Sequence, residues 1–203
     1  MQLTSRSIRL LILLVVATLT ACASAPPSTV IRTVYSPDSD MAKFRNVLVV
    51  SVTGTYQSRA QFERELVAAI SNDDVKAAAY YTVLGRNPRL TRSNLHNAIR
   101  NREFDAVIFT RLKGQEQIEL APLRPVGASL DLFGYDYDEL NRDVGIQQSQ
   151  AITFITEIYS TATQKKIWAI ESLSFDKATV AELISEQATM VAAQVKKDKL
   201  LAR

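Results

Sequence analysis

Two residue types that carry much of protein chemistry occur once each in this chain, as Cys22 and His96. A Ser-His-Asp or Cys-His arrangement would have to recruit that histidine. It sits beside Leu95, which helical spacing turns inward, and no GxSxG elbow accompanies it. The expectation is a solvated or capping histidine and a chain that is not an enzyme. One His and one Cys are also too few soft ligands for a zinc site. Asp136, Asp138, Glu139 and Asp143 cluster in sequence, but their spacing fits no EF-hand loop, so a solvated acidic loop is expected. Gly54 lies between a strand-like and a helix-like segment, where phosphate sites occur, yet VTGTYQSR has neither a GxGxxG nor a Walker pattern. No metal and no cofactor are expected.

The segment Leu132-Phe133-Gly134-Tyr135-Asp136-Tyr137-Asp138 can be read in two ways. Exposed aromatics on a loop anchor partners, which makes Phe133, Tyr135, Asp136, Tyr137 and Asp138 a candidate partner-binding surface. Alternatively, Leu132 and Phe133 begin a further strand that packs on a sheet. Trp168 is expected in the core.

The setting of Cys22 is specific. The first ten residues carry Arg6 and Arg9 and no acid, Leu10 to Leu19 is apolar, and small residues follow. A basic start, a short apolar run and small residues before a cut describe a secretory signal over 1–21. The run is too short to span a bilayer, which takes roughly 20 apolar residues. Leu19-Thr20-Ala21-Cys22 resembles the lipobox of bacterial lipoproteins. The resemblance implies a thioether lipid on Cys22, cleavage before it, and acylation of the new amino terminus. Several acyl chains hold a protein stably where one does not, at about 0.8 kcal/mol per buried methylene. In enteric-type sorting an Asp after the lipidated Cys retains a protein at the inner membrane. Ala23 stands there instead, which implies the outer membrane, with the periplasmic face expected.

With one cysteine the chain forms no internal disulfide and must fold on its core alone. Without Arg6 and Arg9 the 24 Lys and Arg fall to 22, against 21 Asp and Glu. That balance argues against a nucleic-acid partner. Residues 22–44 read as the lipidated Cys and a flexible Pro/Ser/Thr-rich linker, and 45–203 as one domain.

Within that domain NVLVVSVT from Asn46 is apolar on both faces, as a central covered strand is. Ser58-Arg59-Ala60-Gln61 fits a capping box for a helix with Phe62, Leu66, Ala69 and Ile70 inward. VKAAAYYTVL (75–84) reads as a strand, a helix opens near Thr91, and FDAVIFTRL (104–112) is a strand ended by Gly114. Residues 149–161 and 166–175 form a hairpin around Ala162 to Lys165, and 177–200 a helix with Val180, Leu183, Ile184, Ala188, Val191 and Val195 in one stripe. The fold class expected is α/β: a two- or three-layer mixed sheet, β-α-β-α-β, then an antiparallel hairpin and a C-terminal helix.

This order, with the Asp-Ala-Val strand after a helix over 95–108 and Thr163, Lys165 and Trp168 in the hairpin, resembles the TolB amino-terminal type of domain. It is similar also to CsgG and to lipoprotein activators of penicillin-binding proteins. The glycine usual in that hairpin turn is absent here. The expected function is a membrane-tethered, non-enzymatic interaction or envelope-assembly module with an envelope-protein partner, its oligomeric state open. The alternative is a component of an outer-membrane secretion or transport machine, as the CsgG likeness implies. A pore would need hairpin strands of about 9–11 residues. The 149–175 hairpin has that length, but Thr153, Glu157 and Ser172 interrupt a second apolar face.

Overall fold

The computed structural model describes residues 26–36, 43–85, 88–115, 131–141, 146, 151–175 and 177–202. Cys22 and the leader lie outside them. Strands β1 (Thr29–Tyr35), β2 (Asn46–Ser51), β3 (Lys76–Ala79), β4 (Ala106–Gln115), β5 (Ala151–Ser160) and β6 (Lys166–Phe175) form one sheet in the order β1-β6-β5-β4-β2-β3. The helices are α1 (Tyr56–Ile70), α2 (Tyr80–Leu84), α3 (Arg92–Arg102), the single turn α4 (Tyr137–Leu140) and α5 (Val180–Lys197). β2 pairs in parallel with β3 and β4, while β4-β5, β5-β6 and β1-β6 are antiparallel. The mixed α/β class read from the sequence is the observed one.

Alternation along the central strands divides the core. Val47 and Val49 of β2 and Ile108 of β4 turn to a layer made by α1 and α5, with Phe62, Leu66, Leu183, Val191 and Trp168 in it. Leu48, Val50, Val107 and Phe109 turn to the other face, where Tyr80, Leu95, Ala98 and Leu132 cover them. Both faces of β2 are therefore dry, which explains its unbroken apolar run. The β5–β6 hairpin lies inside the sheet, bonded to β4 on one side and β1 on the other. Ile152, Phe154 and Ile158 are core residues. Among the described residues no helix is long and apolar enough to cross a membrane.

Five local expectations change. First, the segment read as a flexible linker contains β1, whose TVIRTVY is almost wholly β-forming and closes the open edge of β6. Second, α1 begins earlier than the capping box at Ser58. Gly54 turns the chain at φ +69°, and the hydroxyl of Thr55 accepts from the Ser58 N–H as the cap. Third, β3 stops at Ala79, and Tyr80–Leu84 is helical, with Tyr80 buried and the Thr82 hydroxyl donating to the Ala79 carbonyl. Fourth, Gly114 does not end β4: the register shifts between Leu112 and Gly114, and pairing continues to Gln115. Fifth, Leu132 and Phe133 form a turn after an isolated bridge at Asp131, not a strand, although they pack against the sheet as that reading required.

Candidate functional site

The first described residues are fastened to the domain at once. The Ser28 N–H donates to Glu186 Oε1 at 2.8 Å, and Lys177 Nζ reaches the Pro26 carbonyl at 3.0 Å. Lys177 also pairs with Glu186 Oε2 at 2.9 Å. Burial raises the Glu186 pKa, but the hydrogen bonds from Lys177 and Ser28 outweigh it and hold the carboxyl below its ordinary range. A buried polar seam continues inward. Ser28 Oγ donates to Ser174 Oγ, Ser174 Oγ to Gln187 Oε1, and Gln187 Nε2 to Ser172 Oγ, at 2.8, 3.1 and 2.9 Å. Donors and acceptors along this seam alternate in a consistent sense, so Gln187 of α5, fully buried against β6, is satisfied. β1 then runs along β6 to Tyr35, and the Ser36 N–H bonds the Ile167 carbonyl. Residues 26–36 are thus part of the domain. The sequence carried this signal in TVIRTVY, where six of seven residues are β-branched or aromatic, obscured by Pro26 and Pro27 before them and Pro37 after.

The candidate partner residues lie together over the face that carries Phe109 and Leu132. The Tyr135 ring stacks on Phe109 with centroids 5.1 Å apart, and its hydroxyl donates to buried Glu157 and meets the Tyr159 hydroxyl. Burial, then the Glu157 charge, raises the Tyr135 pKa. The Tyr137 hydroxyl donates to the Leu132 carbonyl at 2.8 Å, and burial raises its pKa to about 12. Both rings are half-buried in the second core, so they brace the loop and are not free anchors. A ring that is apolar over its body and polar at its tip can do this wherever the tip finds a partner. The carboxylates also have internal roles. Asp136 Oδ1 accepts the Asp138 N–H at the start of α4, and Asp138 pairs with Arg89 at 2.7 Å, both acids remaining exposed.

Phe133 is partly buried as the two tyrosines are, but it has no hydroxyl to tie it inward: its ring lies 5.7 Å from that of exposed His96, and its carbonyl accepts from Arg92 at 2.6 Å. Together with Ser93, Asp131, Gly134 and Gln164, these side chains line an open groove between α3 and the 131–134 turn. His96 is therefore a surface residue, as expected.

Beneath Tyr135 lies a group of charges of which the sequence reading noted only Glu157, as an interruption of the hairpin's second face. Glu157 and Glu171 are fully buried. Lys166 Nζ is 2.9 Å from Glu157 Oε1, Arg111 Nε is 3.6 Å from Glu157 Oε2, and Lys113 bonds Glu171. Alternation places Arg111, Lys113, Glu157 and Glu171 on one face of β4, β5 and β6, and the register shift between Ile158 and Tyr159 brings Lys166 to it; register sets Phe109 beside Glu157 and Ile155 beside Glu171. Buried carboxylates persist only when so paired. Among the described residues no group of His, Cys, Asp and Glu could hold a metal ion.

A separate buried acid, Glu63 of α1, spans the ends of β2 and β3. Its two oxygens accept the N–H groups of Ser51 and Tyr81 at 2.9 and 3.2 Å. Burial pushes its pKa up to about 8 despite those bonds.

No protein-family model and no curated protein matches the chain. Solved structures of similar shape include PelC from Paraburkholderia phytofirmans, crystallised as a dodecamer. A leucine-to-methionine variant of it is 10% identical with a TM-score of 0.45, over 86% of this chain and 99% of that one. A second PelC dodecamer from the same organism gives 10% and 0.45 over 87% and 99%. Lipoprotein GNA1162 from Neisseria meningitidis is 11% identical with a TM-score of 0.40, over 75% of this chain and 99% of that one. At these values the likenesses bear on neither activity nor assembly.

Proposed function

We propose that the chain is a non-enzymatic envelope lipoprotein: an interaction module held at a membrane by lipid on Cys22, at the periplasmic face of the outer membrane. The observation that carries this reading is the fastening of residues 26–36 to the domain only a few residues beyond the lipobox cysteine. A lipid on Cys22 would then immobilise the whole folded unit, not one end of a long leash. The partner-facing surface is the groove between α3 and the 131–134 turn, with Phe133 as its aromatic contact. Tyr135 and Tyr137 support it from below, and Asp136 and Asp138 lie on its outer flank.

Capture of envelope proteins on the Cys22-anchored chain tests the surface. Changing Phe133 and His96 together to Ala should weaken capture about tenfold, the loss of one aromatic hot spot, and leave the thermal midpoint nearly unchanged. Changing Tyr135 and Tyr137 together to Ala should instead lower the thermal midpoint, since both half-buried rings and the hydrogen bonds of their hydroxyls are lost. Unaltered capture by the Phe133/His96 variant would place the interaction surface elsewhere.

A further inference from the structure

The segments that leave β2 and β3 part company. The two strands are parallel neighbours. The chain leaves β2 for α1, in the layer shared with α5, but leaves β3 for α2 and α3, on the opposite face. Adjacent parallel strands whose onward segments diverge in this way open a crevice at their carboxyl ends, where open α/β sheets bind ligands. Glu63 stands at the base of that crevice. It is 3% exposed, and its two oxygens accept the N–H groups of Ser51, at the end of β2, and Tyr81, just past β3.

A small cavity opens over the carboxyl. Ser51, Glu63 and Tyr80 are its buried floor, and the partly buried Tyr56, Arg59 and Tyr81 stand at its rim. The rings of Tyr56 and Tyr81 meet edge to face with centroids 6.4 Å apart. The cavity holds about 20 Å³, and one water-sized group needs ~10–15 Å³. The head of a primary ammonium fits that room, whereas a guanidinium or a trimethylammonium is too large.

Few charges surround the carboxyl. Arg59 of α1 is the cation that acts on it, through its charge alone, while its hydrogen bonds come from backbone N–H groups. Burial, then the Glu63 charge, keeps the Tyr80 hydroxyl of α2 protonated, and Arg89 beyond it turns to Asp138. A carboxylate offers about four acceptor positions, so two backbone bonds leave room for an outside donor. Burial favours the neutral acid up to about pH 8; a cation held against it reverses that preference. Aromatic faces around a negative charge are the setting in which an ammonium group exchanges its hydration for protein contacts.

We propose that this crevice binds a primary ammonium group, with the Glu63 carboxylate as its ion-pair partner and the rings of Tyr56, Tyr80 and Tyr81 around it. The site is separate from the groove between α3 and the 131–134 turn, and it does not depend on the lipid at Cys22.

A titration with methylammonium chloride tests the site. It is added to the detergent-extracted full chain while the amide resonances of Ser51 and Tyr81 are followed by NMR. Both should shift saturably. The affinity should rise about tenfold from pH 6 to pH 7, because the carboxyl must give up its proton to bind. Tetramethylammonium chloride at the same concentrations should leave both resonances in place, and Glu63→Gln should weaken binding at least tenfold. The pH slope is read on the parent chain, so it holds as a test even where the variant folds poorly. No saturable shift, an affinity equal at pH 6 and 7, or an equal response with tetramethylammonium or in Glu63→Gln would overturn the site. Displacement of bound methylammonium by a short-chain phosphatidylethanolamine assigns the ammonium to a lipid headgroup, and failure to displace it assigns a free amine; both results uphold the site.

Discussion

At the scale of single residues, the informative side chains are buried acids rather than the two residues that opened the sequence reading. Glu63 is the clearest case. Its pKa rises from an ordinary 4.5 to about 8, so between those values the folded chain holds a proton that the unfolded chain has released. Stability therefore falls as pH rises through that window, since the folded state binds more protons there. Glu63→Gln keeps one acceptor oxygen and removes the titration. It should flatten the decline in thermal midpoint between pH 5 and 8, measured against the parent chain; an undiminished slope would assign the pH dependence to another group. Glu157 was legible only as a polar break in a strand, and Glu171 drew no reading at all. Their partners Arg111, Lys113 and Lys166 come from β4 and β6, and no local spacing reveals pairing across three strands. The same limit explains Tyr135, whose contacts with Phe109 and Tyr159 join residues far apart in sequence.

At the scale of elements, periodicity recovered what local patterning controls. The apolar run of β2, the hairpin length and the α5 stripe from Leu183 to Val195 stand as read, because burial on one or two faces writes directly into the order of residues; Val180, read as part of that stripe, is exposed in the first turn of α5. β1 was missed because an edge strand paired on one side needs no dry face, and prolines flank it. Its attachment is specific enough to test. Ser174→Ala with Glu186→Ala removes two acceptors from Ser28, its backbone N–H bond to Glu186 and its hydroxyl bond to Ser174. Amide hydrogen exchange over 28–35 should then accelerate at least tenfold while β2 and β4 remain protected, as expected of a locally opening edge. If exchange there is unchanged, the pairing with β6 holds β1 without the clamp. The start of α1 makes the complementary point. Thr55 caps it three residues before the predicted box, because the turn at Gly54 sets where helical geometry can begin.

At the scale of the whole molecule, the lipid proposed on Cys22 would be followed within a few residues by the first described segment of the domain, 26–36. The extended linker expected from composition would have let the domain roam; β1 and its clamp shorten that reach to a few residues. The proposed partner groove is gathered from separate elements, α3, the 131–134 turn and the β5–β6 turn, so sequence order could supply Phe133 but not its neighbours His96 and Gln164. The central claim is the lipid on Cys22, and mass spectrometry of the amino-terminal peptide of detergent-extracted protein tests it most directly. The predicted peptide begins at Cys22 and carries the mass of a diacylglyceryl thioether with an acylated amino terminus. A peptide crossing the Ala21–Cys22 junction, or one with a free Cys22 thiol, would contradict the account.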